Sequence, residues 1–204
     1  QLTLETSSSG SDAVASYTGG TGTTELTFAY TIGSSDNNCD LDYASTTSLS
    51  LNGGTMKDAN GNNATLTLAS PGQSGSLAAN KALVVDNTAP TAVAQNITIS
   101  LDANGEATIT ASQINNGSSD TCDASLTLNI TKSSFDCTNI GVTNHVLLQV
   151  IDDAGNTSIT GAIVTVQDTT GPTITLTGNS TISVEMGGTY TEQGASASDN
   201  CDSS

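Results

Sequence analysis

Two copies of one proline-containing hexapeptide constrain the fold of this chain more than any other feature. They have the form D-x-T-x-P-T, read DNTAPT at 86–91 and DTTGPT at 168–173, and begin 82 residues apart. Each lies between runs rich in β-branched residues. Proline lacks an N–H and disfavours helix at the residue before it, so it suits a junction between β units. Strand–junction–strand repeats of this length are typical of tandem small β-sandwiches.

The charge balance excludes several classes of partner. The chain carries 20 acidic residues against three lysines, has no arginine, and has a net charge of −17. Nucleic acids and anionic membrane surfaces bind clustered cations, so neither is expected as a partner. Such a surface favours cations as ligands, or serves solubility alone. No apolar run is long enough for membrane insertion and no signal peptide begins at Gln1, so the chain reads as an interior piece of a longer protein.

Alternating apolar and polar residues predict β-strands in every part of the chain. The strongest buried-strand pattern is His145–Ile151, and one short helical turn is predicted within Ala111–Asn116. No stretch has the periodicity of a longer helix. The other predicted strands include 2–4, 13–17, 26–32, 49–51, 64–68, 83–85, 97–101, 107–110, 126–130 and 159–166.

The four cysteines favour an oxidising, extracellular setting, although four buried free thiols would also fit. Cys122 and Cys137 are 15 residues apart within one predicted unit, so we expect a disulfide between them. Closing a loop of that size contributes about 3 kcal/mol. Cys39 and Cys201 have no partner within their own predicted segments.

Six short motifs follow one another in residues 1–88: QLTLET at 1–6, LTFAY at 26–30, DLDY at 40–43, LNGGT at 51–55, KDANGN at 57–62 and NKALVVD at 80–86. With these motifs the segment resembles a bacterial immunoglobulin-like (Ig-like) repeat found in giant surface adhesins. In that family the first strands of the sandwich precede the opening motif, so the resemblance implies a repeat that lacks them here.

Residues 89–170 contain two cysteines, a D-x-x-G-N turn at 152–156 and a closing V-x-V-x-D at 164–168. With these features the segment resembles the hyalin-repeat (HYR) type of Ig-like module in its version from Bacteroidetes. Residues 171–204 resemble the opening strands of a third such domain. The expected fold is therefore all-β: tandem Ig-like β-sandwiches joined by short Pro-containing linkers, the first and last incomplete.

Carboxylates recur at turns and junctions, where calcium sites are often built. Ca²⁺ takes six to eight hard oxygen ligands, which Asp and Asn side chains and backbone carbonyls provide. The alternative is that each cluster is an ordinary turn, because Asp and Asn bond their own backbone. No EF-hand is present, since the loop that starts at residue 58 has Ala69 at its twelfth position. The candidate calcium ligands are Asp86, Asp168, Asp58, Asn60, Asp40, Asp42 and Asp152, and Asp199 with Asp202 form a further acidic turn.

We do not expect an enzyme. His145 is the only histidine, so neither a histidine-based zinc site nor a Ser-His-Asp triad can be assembled, and it is predicted to lie at a strand rim. A glycosidase carboxylate pair would lack tryptophan platforms for the sugar. The D-T-T sequence at 168–170 resembles a short O-glycosylation signal of Bacteroidetes, which makes Thr169 a candidate modification site.

The resemblance implies a structural stalk or filament segment of a secreted or cell-surface bacterial adhesin, stiffened by calcium and by the disulfide. Its partners would be neighbouring Ig-like domains or copies of the same chain, with an unknown surface target. One alternative is a fibre subunit assembled by strand addition. Another is a carbohydrate- or partner-binding accessory module with a concave patch lined by Tyr17, Tyr30 or Tyr43. An ice-binding array would need a flat Thr face, and fixed-period Thr ranks are absent.

Overall fold

The computed structural model describes residues 1–7 and 11–202 and is built almost entirely from short β-strands. Its contacts divide it into two compact units. The first contains Gln1–Thr91, Ser119–Thr127 and Ile151–Thr157, and the second contains Ala92–Ser118, Leu128–Val150 and Ser158–Ser204. The predicted all-β class is confirmed. The Ig-like repeats with bounds at 88/89 and 170/171 stay a prediction.

The first unit is organised around a three-stranded antiparallel sheet in the order β1-β2-β3. Leu4 and Ala15 point from this sheet into a core that Leu41 and Val85 complete, and each of the four is at most 5% exposed. Burying such side chains contributes about 1.5–3 kcal/mol for each larger one. The strands are β1 (Leu2–Leu4), β2 (Ala13–Gly19) and β3 (Thr27–Ala29).

The rest of the first unit is less regular than predicted. The predictions of strands at 49–51, 64–68 and 83–85 are wrong, because these segments form only scattered contacts such as the Leu2–Leu49 and Asn38–Val85 bridges. Leu68 forms a backbone hydrogen bond with Thr46 and Leu83 forms one with Leu41, but these single bonds do not extend into a continuous ladder. A single-turn helix that was not predicted, α1 (Leu77–Asn80), begins after Ser76, whose Oγ accepts a hydrogen bond from the Ala79 N–H.

The second unit contains a four-stranded sheet in the order β4-β9-β8-β6, a β5-β7 pair and a β10-β11 pair. The β4 and β9 strands run parallel, with Ile97 opposite Val164. The β5-β7 and β10-β11 pairs are antiparallel. The strands are β4 (Ile97–Ser100), β5 (Glu106–Thr108), β6 (Thr127–Ile130), β7 (Ser134–Asp136), β8 (Asn144–Ile151), β9 (Thr157–Gln167), β10 (Thr173–Leu176) and β11 (Ala195–Ser198), with a 3₁₀ turn at Cys137–Asn139.

The strongest predicted buried-strand pattern, at 145–151, is confirmed as β8. Val146, Leu148 and Val150 are fully buried and alternate with more exposed residues, including His145. The predicted helical turn is confirmed as α2 (Ala111–Ile114), which starts where the Thr110 N–H donates to Gln113 Oε1 at 2.7 Å. Among the described residues no helix has the length and apolarity to cross a bilayer.

The predicted disulfide between Cys122 and Cys137 is wrong. Cys122 bonds to Cys39 within the first unit, and Cys137 bonds to Cys201 within the second. Closing a short loop costs little conformational entropy, but a short separation in sequence does not by itself place two cysteines in contact. From Cys122 the chain runs along β6, about 13 Å of extended backbone, and β7 then pairs in a different sheet. Bonded cysteines need Cα atoms about 5–6 Å apart.

Candidate cation site at Asp86

Asp86 lies in the first unit, directly after the buried Val85, where the first D-x-T-x-P-T motif begins. Asp86 Oδ1 accepts a hydrogen bond from the Thr88 N–H at 2.9 Å, which makes the start of the motif a local turn. Asp86 Oδ2 is buried and has no hydrogen-bond partner among the described residues. A buried carboxylate oxygen without a hydrogen-bond donor is unfavourable. Whether a cation could satisfy it depends on which other groups lie nearby.

The loop with the sequence SDTCD (119–123) brings two further carboxylates to Asp86. Asp120 Oδ1 accepts from the backbone N–H of Cys122 at 2.7 Å, which leaves its other oxygen available. Asp123 Oδ2 accepts from the Asp153 N–H at 3.0 Å. The Cys39–Cys122 disulfide ties the loop to the residue beside Asn38, which pairs with Val85.

The fourth carboxylate comes from the tight turn after β8. Asp152 is only 5% exposed, and both of its oxygens accept from Asn156, one from the backbone N–H at 2.7 Å and one from the side-chain amide at 2.9 Å. The Asn156 amide also donates to the Asp86 carbonyl oxygen at 3.2 Å. The turn is therefore joined directly to the D-x-T-x-P-T motif.

These carboxylates converge closely. One oxygen each of Asp86, Asp123 and Asp152 all lie within 4.8 Å of one another, and an oxygen of Asp120 lies within the same distance of Asp86. Two ligands on one Ca²⁺ are separated by at most about 5 Å, since each Ca–O bond is 2.3–2.6 Å. Carboxylates this close repel one another when they are charged, unless a cation lies among them.

The donor set fits calcium better than a softer metal. The cluster offers carboxylate oxygens and nearby backbone carbonyls, which are hard ligands. Cys122 adjoins it, but its sulfur is in a disulfide and is therefore not the thiolate that zinc binds. Asp86, Asp123 and Asp152 would hold the ion, with Asp120 next to Asp86. The two positive charges of the ion would offset half of the four negative charges and fix the three segments to one another.

A second cluster in the second unit repeats part of this arrangement. Asp168 begins the second D-x-T-x-P-T motif, and its Oδ1 accepts from the Thr170 N–H, two residues on, as Asp86 does from Thr88. Asp199 and Asp202 belong to the sequence SDNCD (198–202) and line one cleft with Asp168. Asp199 Oδ2 and Asn200 Oδ1 are buried without a partner among the described residues.

Asp199 repeats the hydrogen bonding of Asp120. Its Oδ1 accepts from the N–H groups of Cys201 and Asp202. These bonds, that from Cys201 first, hold the pKa of Asp199 below its usual value although partial burial opposes ionisation. The carboxylate is therefore charged at neutral pH, as a calcium ligand must be.

Four predicted calcium ligands lie outside both clusters. Asp58 is an exposed turn residue whose oxygens accept from the Asn60 N–H and from the Asn62 backbone and side chain. Asn60 forms part of that same turn. Asp40 is exposed and joins neither group of acidic residues that could hold an ion. These residues fit the ordinary-turn alternative.

Asp42 is a buried structural carboxylate rather than a metal ligand. It is 4% exposed, and its oxygens accept from the N–H groups of Tyr43 (2.9 Å), Gly72 (2.9 Å) and Leu77 (3.1 Å). Burial opposes its ionisation, but these donors and the Ser76 hydroxyl outweigh burial and lower the pKa of Asp42. Its role is to hold the loop that leads into α1.

Sequence reasoning missed Asp120 and Asp123. The signal that finds them is the recurrence of S-D-x-C-D at 119–123 and 198–202, each about thirty residues after a D-x-T-x-P-T motif. Thr169 lies within the second motif and is exposed, as a modification site must be, and its glycosylation stays a prediction.

The three tyrosines named in the binding hypothesis have different surroundings. Tyr43 is buried, and its hydroxyl donates to the Ala69 carbonyl oxygen. The Tyr30 hydroxyl donates to the Asp36 carboxylate, and burial together with that bond raises the pKa of Tyr30 to about 12. Tyr17 is exposed and lines a groove.

Comparisons of the chain with protein-family models, with curated proteins and with solved structures gave no match.

Proposed function

We propose that this chain is a structural segment of a secreted or cell-surface bacterial adhesin. Its Ig-like modules form a stalk or filament stiffened by calcium. The observation that carries the proposal is that the carboxylates of Asp120, Asp123 and Asp152 all lie close to that of Asp86, which has one buried oxygen without a hydrogen-bond partner and begins the motif that recurs along the chain. A cation there joins three segments that are far apart in sequence, and so resists their separation.

The disulfides support the same function. Each bridge includes the cysteine of an S-D-x-C-D motif, so a covalent link accompanies each acidic cluster. Disulfides persist in oxidising compartments, which agrees with an extracellular location. The net charge of −17 keeps neighbouring fibres from associating. No catalytic activity is part of the proposal.

Strand addition between copies is the second candidate, and one feature favours it. The β10-β11 pair places Ile174 and Leu176 opposite Ala197 and Ala195 on one face, and these two large side chains are 70% and 80% exposed. β10 is also an edge strand of a two-stranded sheet. The backbone of an edge strand can pair with another chain, and the apolar face would then be covered by packing.

Thermal unfolding of the 204-residue chain with calcium and with chelator tests the proposal. Calcium should raise the melting temperature, because a ligand of the native state at a hundredfold excess over its Kd adds about 2.7 kcal/mol. Asp86→Asn should lose most of this increase. The matched control is Asp58→Asn, which changes an exposed aspartate outside the cluster and should keep the full increase.

In chelator, the expected order of the two melting temperatures is different. Without calcium the carboxylates repel one another, so Asp86→Asn should then unfold at the same temperature as the parent or higher. Calcium that leaves the parent unchanged, or raises Asp86→Asn as much as the parent, would refute the site.

A further inference from the structure

A groove on the first unit differs in charge from the rest of this acidic chain. It lies between the β2-β3 hairpin and the segment 49–57, and its apolar lining includes Tyr17, Leu26, Phe28 and Leu51. None of its sixteen lining residues is acidic, although the chain has 20 acidic residues in 204. An acid-free groove on this protein suits a neutral or anionic ligand.

The aromatic floor of the groove is held in place. Tyr17 and Phe28 are opposite each other in the β2-β3 register and meet edge to face, with ring centroids 6.0 Å apart. The Tyr17 hydroxyl and the Thr21 hydroxyl share a hydrogen bond of 2.7 Å. The Tyr17 ring is nevertheless 44% exposed. A fixed, exposed aromatic ring offers a flat surface without losing side-chain entropy on binding.

The loop that forms one wall has a defined shape. Gly20 has φ +108°, and a Cβ at this position would lie 1.9 Å from the Glu25 carbonyl oxygen, so only glycine fits. The Thr23 hydroxyl bonds to the carbonyl oxygens of Gly20 and Glu25 at 2.8 and 2.7 Å. The other lining positions are rich in Thr, Ser and Gly, which supply hydroxyls and accessible backbone.

Lys57 gives the groove its only side-chain cation. It is one of three lysines, and Lys132 is engaged elsewhere, with its Nζ 4.7 Å from the centroid of the Phe135 ring. Lys57 is exposed, and within the described ranges 1–7 and 11–202 it has no carboxylate partner. An ammonium on a surface otherwise dominated by carboxylates is a specific point of attraction for an anion.

We propose that this groove binds an acidic oligosaccharide. The C–H face of a sugar ring lies on Tyr17, a carboxylate of the ligand pairs with Lys57, and ligand hydroxyls bond to the Thr and Ser side chains. Pairing with Lys57 favours an acidic ligand over a neutral one, but the net charge of −17 opposes a long polyanion, so the ligand is a short oligomer. The hydroxyl-rich lining favours a sugar over an apolar peptide. This gives the segment a binding role in addition to the structural one.

The test is calorimetric titration of the 204-residue chain with oligomers of galacturonate, alginate and hyaluronate. Chelator is present, so that calcium cannot bridge ligand and protein. Methyl-esterified oligogalacturonate is the matched neutral ligand, and at least one acidic oligomer should bind. Oligogalacturonate should bind about tenfold or more tightly than its ester, because a hydrogen bond to a charged group is lost on esterification.

Matched variants locate the binding. Tyr17→Ala and Lys57→Gln should each weaken binding about tenfold or more, whereas Tyr190→Ala and Lys81→Gln, at exposed residues outside the groove, should not. Lys57→Gln changes an exposed side chain, so the test holds even where Tyr17→Ala fails to fold. Asp86→Asn should bind the sugar normally, which separates this proposal from the calcium site.

Three results would overturn the inference. The first is no binding of any acidic oligomer. The second is equal binding of oligogalacturonate and its ester. The third is a change of sedimentation coefficient, without loss of sugar binding, in Tyr17→Ala, which would assign the groove to contact with another polypeptide.

Discussion

Removing one disulfide should destabilise this protein by an amount set by its long sequence separation. The Cys39–Cys122 bridge spans 83 residues. In the chain-entropy model a loop of this length removes about 15 cal/mol/K from the unfolded ensemble, or about 4.5 kcal/mol at 25 °C. The variant Cys39→Ser/Cys122→Ser loses this bridge without leaving a free thiol. Its free energy of unfolding, measured in guanidinium by far-ultraviolet circular dichroism, should fall by about that amount.

A second pair of substitutions distinguishes the observed connectivity from pairing of neighbouring cysteines. Cys122→Ser/Cys137→Ser breaks both bridges, which span 83 and 64 residues and do not overlap. The expected loss is therefore about 9 kcal/mol, which is comparable with the whole stability of a domain. If Cys122 were bonded to Cys137 instead, the same variant would lose only one short loop, about 3 kcal/mol.

Tryptic digestion without reductant reads the connectivity directly, because the chain has only three cleavage sites, at Lys57, Lys81 and Lys132. The structure predicts that peptide 1–57 stays joined to 82–132, while 133–204 carries an internal bridge. A covalent link between 82–132 and 133–204 would refute the connectivity. If the free energy of unfolding of Cys39→Ser/Cys122→Ser fell by less than about 1 kcal/mol, the stability argument would be refuted.

Two further predictions concern single residues. Asp42→Asn should destabilise the chain by about 2–4 kcal/mol near neutral pH, because three backbone N–H groups lose a charged acceptor, whereas the exposed Asp58→Asn should change little. Because the pKa of Asp42 is lowered in the folded state, its ionised form stabilises the fold above about pH 4, and this stabilisation is lost as the pH falls further. The free energy of unfolding of Asp42→Asn, measured in urea, should therefore fall less than that of the parent as the pH is lowered. Gly105→Ala should destabilise more than Gly141→Ala in the same assay. Both glycines have φ above +70°, but only at Gly105 would a Cβ lie 2.7 Å from Cys137 Sγ, so equal losses would show that the clash is relieved.

Local patterns predicted the parts of this fold that depend on local chemistry. The alternation in 145–151 identifies β8 because every second residue must be buried in a half-covered sheet. The turn at 152–156 and the helical turn at 111–114 follow from the same kind of local signal. The predictions of strands at 64–68 and 83–85 failed because a local residue pattern does not supply a neighbouring strand with which to pair.

The candidate site depends on contacts that local patterns do not encode. Asp86, Asp120 and Asp152 are each about thirty residues from the next in sequence, and only the folded chain brings them together. Asp42 reads as a surface turn residue in the sequence, and it is buried only because the loop at 72–77 offers it N–H donors. The prediction of the disulfide pairing failed for the same reason, because the spacing of cysteines along the chain does not show which loops meet.

The parallel pairing of β4 with β9 has a mechanical consequence. Four consecutive residue pairs, from Ile97–Val164 to Ser100–Gln167, join the first strand of the four-stranded sheet to its last strand in sequence. When both disulfides are reduced and the chain is stretched, tension enters at the start of β4 and leaves at the end of β9, so the two strands are dragged past each other lengthwise. Every hydrogen bond between them is then sheared at once rather than peeled open one at a time, which needs a larger force than unzipping a hairpin of the same length. When the disulfides are closed, β4 lies inside the 39–122 loop and β9 inside the 137–201 loop, so the bridges carry the tension past both strands and protect the pairing from load.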